Sequence, residues 1–386
     1  MNEYLSLFGD WAVSDNKTKI NFNLSYSLIN LEGPLFFKKL AKVNKAGPHL
    51  FNCYLPDFKN CIFNLSNNHF MDYGYKVAKK TTRVITSKGN YHIGFGKNLS
   101  DSRKEKIIKI NDKMIAFIGC SEPQFGMASF LRGGIAETGS WLIEKIIKLK
   151  KKVDYIVIST HGGSETSPWP IPSIRDLYRS WVDAGASIIH GHHSHMPQCY
   201  EIYKGNYIFY GMGNFAVPYS KWEKKKNALW SLKADIYFDK KIKVKLDTLE
   251  IERKSDKEII IKNSIDSEKK KHLRYFKEIN KIFKNKKLFY ALWQEVAMTQ
   301  YSFFGKRYMG WQLRSIKNNL KEILYKITNN YFLLENSKKI NLLRFHMFSL
   351  ESHRQMLKEA TGIISGEIRD IRNNYTKHLV QKYIQF

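Results

Sequence analysis

The sequence holds only four cysteines in 386 residues, Cys53, Cys61, Cys120 and Cys199, and no two stand at C-x-x-C spacing. That argues against a disulfide framework and against a thiolate metal site, and leaves reduced, buried thiols as the expectation. No stretch reaches the roughly 18 uninterrupted apolar residues that a spanning helix needs. The opening MNEYLSLFGD carries Glu3 and Asp10 around a brief apolar run, without the charged start and long apolar stretch of a secretory signal. The chain is therefore expected to be soluble and cytoplasmic, with peripheral contact at the inner membrane face as a further option. Internal repeats and long low-complexity linkers are absent. Acidic residues are scarce: 35 Asp and Glu face 64 Lys and Arg, a formal charge of +29. The imbalance favours anionic partners in general, whether polymer, nucleotide or membrane surface. It names none of them, because the excess is mostly lysine amid many Asn and Ile, a pattern that biased codon usage also produces.

The chain is long enough for a large domain plus an appendage, and 43% hydrophobic residues can fill a core. Up to about residue 250, the runs YLSLFGD, KMIAFIGC, VDYIVISTHGG, GASIIHGH and NYIFYGMGNF each read as a buried strand ending at a polar or Gly-rich loop. Between them, SWLIEKIIKLKKK and IRDLYRSWVDAG space apolar residues three and four apart, as half-buried helices do. Alternation of this kind predicts an α/β layered domain. Leu229 to Ile251 alternates apolar and polar positions, as closing antiparallel strands do. From KEIIIKNSIDSEKKKHLRYFKEINKIF onwards the texture reads as helical, Lys-rich and aromatic. The expected division is thus 1–255 for the α/β domain and 256–386 for a basic, mainly helical region.

Chemistry-bearing residues follow the apolar runs. Asp10 closes the first, Asn30 and Glu32 lie in INLEGPL, and LSNNHFMDYG offers Asn67, Asn68, His69 and Asp72. ISTHGGSE adds His161 and Glu165, and the imidazole-rich GHHSHMPQ adds His193 and His195. Singly, each has an ordinary explanation: a turn-forming Asp, a loop tripeptide, a satisfied histidine. Ligand sites in open α/β folds lie beyond the carboxyl ends of strands, so these groups are predicted to converge on one rim. Carboxylate, amide and imidazole together suit Mn, Fe or Zn. A bridging carboxylate can hold two such ions about 3.5 to 4 Å apart, the arrangement of a phosphoesterase centre. His193 and His195 would point to one side if their segment were extended. His190, inside an apolar run, reads as a hydrogen-bonded core residue.

Taken together, FGD, NLEGPL, LSNNHFMDYG, HGGSE, GASIIHGHHSHMPQ and YGMGNF resemble the bacterial capsule synthesis proteins of the CapA type, within the calcineurin-like metallophosphoesterase superfamily. The resemblance spans roughly residues 4 to 220. It implies a four-layer metallophosphoesterase-like β-sandwich flanked by helices. It implies that Asp10 and His195 hold one divalent ion, that Glu32 bridges, and that Asn68, His161 and His193 hold the other. His69 would be the general acid, Asp72 would orient it, and Glu165 and Asn214 would either support the ligands from behind or contact substrate. The superfamily usually carries a His two residues after the first Asp, where this chain has Ala12; the first position is then a ligand short, and either Glu165 supplies the missing oxygen or the site holds one ion rather than two.

The function implied is metal-dependent hydrolysis or transfer at a phosphoester during synthesis of a bacterial capsule or other surface polymer. The expected partners are an anionic polymer or phosphorylated glycan and a capsule synthase complex. One alternative is a non-catalytic metal- or polymer-binding subunit of that complex. A second is a nuclease or nucleotide phosphoesterase, although nucleic acid is the less favoured partner.

Overall fold

The computed structural model describes residues 3–14, 17–22, 25–35, 42–45, 47–225, 227–255, 258–308 and 338–384. The first half contains β1 (Leu5–Trp11), β2 (Lys17–Ile20), β3 (Tyr26–Leu31), β4 (Cys61–Asn64), α1 (Gly74–Ser87), β5 (Tyr91–Ile93), β6 (Phe95–Gly96) and α2 (Leu99–Ser102). Next come β7 (Lys106–Ile110), β8 (Lys113–Ser121), β9 (Gly134–Ile135), α3 (Ser140–Leu149), β10 (Tyr155–His161), α4 (Pro172–Ala184) and β11 (Ile188–His192). They are followed by β12 (Tyr200–Tyr203), β13 (Asn206–Phe209), β14 (Asn214–Ala216), α5 (Tyr219–Trp222), β15 (Trp230–Tyr237), β16 (Lys243–Ser255) and β17 (Glu258–Asn263). Helices α6 (Asp266–Lys284), α7 (Lys286–Tyr308), α8 (Lys338–Ser349), α9 (Glu351–Ser365) and α10 (Asn374–Tyr383) complete the described chain.

Two mixed sheets form the sandwich. One runs β2-β17-β16-β15-β1-β3-β4-β5 with β14 beside β1, and the other β12-β13-β11-β10-β8-β7. Strand alternation sorts the first sheet's side chains. Leu5, Leu7, Leu28 and Ile62 share a core with Phe117, Ile158 and Ile189 of the second sheet. Their neighbours Ile29, Cys61 and Phe63 turn the other way and pack with Ala78 and Ile85 of α1. The second sheet is buried on both faces, since Leu142, Ile146, Tyr178 and Trp181 of α3 and α4 join the same core. This explains the unbroken apolar runs in β8, β10 and β11. The result is the mixed α/β sandwich with outer helices that the sequence led us to expect.

Two segments depart from the sequence reading. NYIFYGMGNF is not one strand: Asn206–Phe209 pairs in the second sheet and Asn214–Ala216 in the first. Gly213, at φ +83°, makes the turn between them, and a side chain on Gly9 would lie 1.8 Å from the Gly213 carbonyl oxygen. The segment read as helical after residue 257 begins as strand β17, antiparallel to β16. Its Ile259 and Ile261 are buried in the first sheet's outer core. The run of three isoleucines carries no helical period, and β-branched residues suit a strand. Helix begins only at Asp266.

The C-terminal helices share the main core. Phe276 and Phe283 of α6, Phe289 and Val296 of α7, Met356 of α9 and Tyr383 of α10 pack into it. Polar contacts fix the docking: Trp169 Nε1 donates to the Ile279 carbonyl (3.1 Å), and the Tyr275 hydroxyl to that of Pro197 (2.8 Å). Among the described residues no helix is long and apolar enough to cross a membrane.

Candidate metal centre

The parallel strands of both sheets end at one rim. In the first sheet Asp10 stands opposite Asn30 and Asn214, and in the second His161 stands opposite His192. Asp10 lies within β1, at an irregularity in its pairing with β3, rather than after the strand. From that rim Asp10, Glu32, His69, His161, His193 and His195 all turn inward and are buried. The Glu32 Oε1 atom lies 3.8 Å from His195 Nε2 and 3.9 Å from both His161 Nε2 and His69 Nε2. His195 Nδ1 is 3.5 Å from Asp10 Oδ2, and His193 Nε2 is 3.8 Å from Glu165 Oε1. Two sets of potential ligand atoms result, Asp10–Glu32–His195 and Glu165–His193–His195.

His193 and His195 are not in extended backbone. Both occupy the left-handed region, at φ +87° and +55°, a conformation that non-glycine residues adopt at a cost. The turn aims both rings at the cluster where a continued strand would have alternated past it.

Supporting groups hold these side chains. Asn30 Nδ2 donates to Asp10 Oδ1 (2.8 Å) and lies 3.2 Å from His161 Nδ1, while Asn67 Nδ2 donates to Asn30 Oδ1 (3.2 Å). Asn214 is fully buried and donates to the carbonyls of His195 and Ala228, so its Oδ1 is left to accept from His195 Nδ1 at 3.1 Å. That leaves His195 Nε2 facing Glu32. Asn214 thus sits behind the His195 ring, the supporting place that was one of its two expected roles, and does not line the cavity beside the cluster. His190 is the core residue foreseen, 2.8 Å from the Phe8 carbonyl. His192, given no role in the sequence reading, lies 3.0 Å from Asp10 Oδ1.

His69 Nδ1 bonds Asp72 Oδ2 at 2.8 Å, and the Leu50 amide donates to the same oxygen at 2.7 Å. Lys45 was also missed. Its ammonium pairs with Asp72, donates to the Asn68 carbonyl (3.0 Å) and stands 3.2 Å from His69 Nδ1. It belongs to none of the motif segments, and a lone lysine in a lysine-rich chain carries no sequence signal.

Burial governs the charges. It pushes the Glu32 carboxyl up to about 8, against the pull of His195. Burial would also raise Asp10, but contacts with His192, His195 and Asn30 hold it below its ordinary value. Burial drives His161, His69 and His193 down, with the Lys45 charge adding to the effect on His69. His195 moves up despite burial, through Glu32 and Asp10. Asp72 is raised by burial to about 6 even with Lys45 beside it.

The cluster also contains buried polar atoms that make no hydrogen bond among the described residues: Asp10 Oδ2, both Glu32 carboxylate oxygens, Asn68 Oδ1 and His161 Nε2. Buried polar atoms are seldom left so, and five from four chain segments meeting at one rim are what divalent-cation ligands look like without their ion. The residues present therefore fit a divalent metal. Ala12 is buried and offers no side-chain donor.

A cavity of about 370 Å³ opens beside the cluster. Asn68, His193, Glu165 and Gln124 line one side, and Gln300, Phe304, His346, His353 and Met356 of α7, α8 and α9 line the other. The two halves are tied by Glu122, whose carboxylate accepts from the Ser352 amide and hydroxyl (both 3.2 Å) in the first turn of α9. The Glu122 amide donates to the His161 carbonyl at 3.0 Å. No sequence pattern announced this roof, because it depends on how the helices dock.

Comparison with known proteins adds the following. The family described as "Bacterial capsule synthesis protein PGA_cap" matches residues 13–219, more than half of the chain. "Capsule biosynthesis protein CapA" of Bacillus anthracis is 35% identical over 167 residues, 40% of this chain and 39% of that protein. "PGA biosynthesis protein CapA" of Bacillus subtilis (strain 168) is 33% identical over 195 residues, 48% of this chain and 51% of that protein. A "Probable polyglutamine synthesis accessory protein" of Mycobacterium tuberculosis is 26% identical over 169 residues, 40% of this chain and 44% of that protein. The matched stretch spans about half or less of each relative.

Proposed function

Because this chain belongs to the bacterial capsule synthesis protein family PGA_cap, we propose that it acts in making a bacterial capsule or surface polymer, as a divalent-metal-dependent phosphoesterase. The observation that carries the reading is the set of unsatisfied buried atoms on Asp10, Glu32, Asn68 and His161. In this reading Asp10, Glu32 and His195 would hold one ion, and Asn68, His161 and His193, with Glu32 beside them, would hold a second. Ions bound there supply Lewis-acid charge to a phosphoryl group and to the attacking water.

The remaining work falls to the chain. Asp72 fixes the His69 ring through Nδ1 and leaves Nε2 pointing into the cluster, toward Glu32. Lys45 and burial keep that ring neutral in the free protein. An anionic phosphoryl group arriving at Nε2 favours the protonated ring, and the proton leaves on the departing alkoxide. Glu165 and the roof residues Gln300, His346 and His353 position the rest of the substrate in the cavity. We take helices α7 to α9, within the C-terminal region 256–386 whose first residues complete the first sheet, as the unit that supplies this roof. The substrate class is an anionic polymer intermediate or phosphorylated glycan, handled beside a synthase complex.

The test is hydrolysis of an aryl phosphomonoester and phosphodiester with added Mn. Turnover that disappears in His69→Ala, with metal retained, supports the reading. A single observation favours the non-catalytic subunit instead: Ala12 leaves one ligand position without a donor. Metal retention with no turnover on either ester selects that alternative.

A further inference from the structure

A long loop joins β8 to β9. Phe130 and Leu131 stand at its tip with 84% and 90% of their surface exposed, the two most exposed large apolar side chains among the described residues. The tip is an ordered turn. The Ser129 amide donates to the Arg132 carbonyl (2.8 Å), the Ala128 amide to that of Ile135 (2.9 Å), and the Leu99 amide to that of Ser129 (2.9 Å). An arginine contact from Arg132 to the Met127 carbonyl (3.2 Å) closes it further. The fold therefore holds two apolar side chains out in water on a braced support, with no core for them to enter.

The surroundings are cationic. Gly133 follows the tip and packs against the Tyr75 ring, so close that a Cβ there would lie 2.1 Å from it. Tyr75 opens α1, whose exposed side carries Lys76, Lys79 and Arg83 at i, i+3 and i+7 and whose sequence has no acidic residue. Arg132 is exposed on the turn itself. A narrow apolar wedge with exposed cationic side chains beside it matches an anionic bilayer, where the apolar groups enter below the headgroups and the cations meet lipid phosphates. A protein partner would want a broader apolar face than two side chains provide.

We propose that the Phe130–Leu131 tip, with the basic face of α1, is a docking wedge for an anionic membrane surface. The same loop carries Gln124 near its start, where it lines the cavity beside the metal cluster. Docking through the tip would hold the cavity near the bilayer and favour substrates carried there. This inference stands on the exposed turn and not on the chemistry of the cluster.

The experiment is co-sedimentation of the full chain with vesicles of phosphatidylglycerol and phosphatidylcholine, against phosphatidylcholine alone, at low salt. Binding to the anionic vesicles only is expected, with a fall of about ten-fold or more in partitioning for Phe130→Ser/Leu131→Ser. Both residues are exposed, so the melting temperature should not change. Lys76→Glu/Lys79→Glu is expected to weaken binding in the same assay without touching the wedge. Absence of binding to anionic vesicles, or equal binding by the wedge variant, overturns the proposal. So does a wild-type dimer in light scattering that the wedge variant dissolves, which would assign the tip to a second copy of the chain.

Discussion

Replacing Glu32 by Gln isolates the electrostatics of the cluster. In the chelated protein the Glu32 carboxyl titrates near 8, against an ordinary value of 4.5. Between those values the folded state holds a proton that the unfolded state has released, so stability falls as pH rises through this window. Most of the fall comes before pH 8; from about pH 6 to about pH 8 this one group removes roughly 2 kcal/mol. Glu32→Gln has no carboxyl to ionise and should lack that part of the slope. Asp72, which Glu32 does not perturb, titrates in both proteins and cancels in the difference; His195, held up partly by Glu32, loses that support in the variant and removes slope in the same direction. The assay is guanidinium unfolding of chelated wild type and variant at both pH values. Added Mn should reverse the order: metal binding requires the carboxylate, so wild type gains more stability from the ion at pH 8 than at pH 6. Identical pH slopes for the two chelated proteins would refute the buried, protonated Glu32.

Three further outcomes are expected. His69→Ala should lower turnover on the order of 100-fold or more while leaving the ion content unchanged, measured by steady-state kinetics beside metal analysis. Lys45→Met removes a positive charge 3.2 Å from the His69 ring; the basic limb of the kcat profile should move up by roughly one pH unit, and an unmoved limb would separate Lys45 from the acid. Gly9→Ala forces a methyl group onto the Gly213 carbonyl and should cost about 3 kcal/mol or more in thermal or denaturant unfolding.

The rim was legible because its residues close apolar runs, and strand ends in an α/β layer share one side. Asp10, Glu32, Asn68 and His161 meet there for that reason. The turn at His193 and His195 was not legible, since alternation describes extended chain and both residues take positive φ. Strand β17 was masked because three consecutive isoleucines show neither the strand nor the helix period, and the helical pattern that follows them was extended back over them. Lys45, Glu122 and the roof formed by α7 to α9 reach the cluster through tertiary docking alone, and no local pattern encodes which helix face will meet which loop. His192 stood in plain view among four histidines, but only the register of β11 with β10 aims it at Asp10.

The central claim is tested most directly by metal stoichiometry. The full chain is chelated, reloaded with Mn or Zn, dialysed and analysed beside Asp10→Ala, Glu32→Ala and His161→Ala variants that keep the wild-type circular dichroism spectrum. The account predicts at least one retained ion per wild-type chain and its loss in each variant. A chain that retains no ion, or variants that retain as much as wild type, would contradict it.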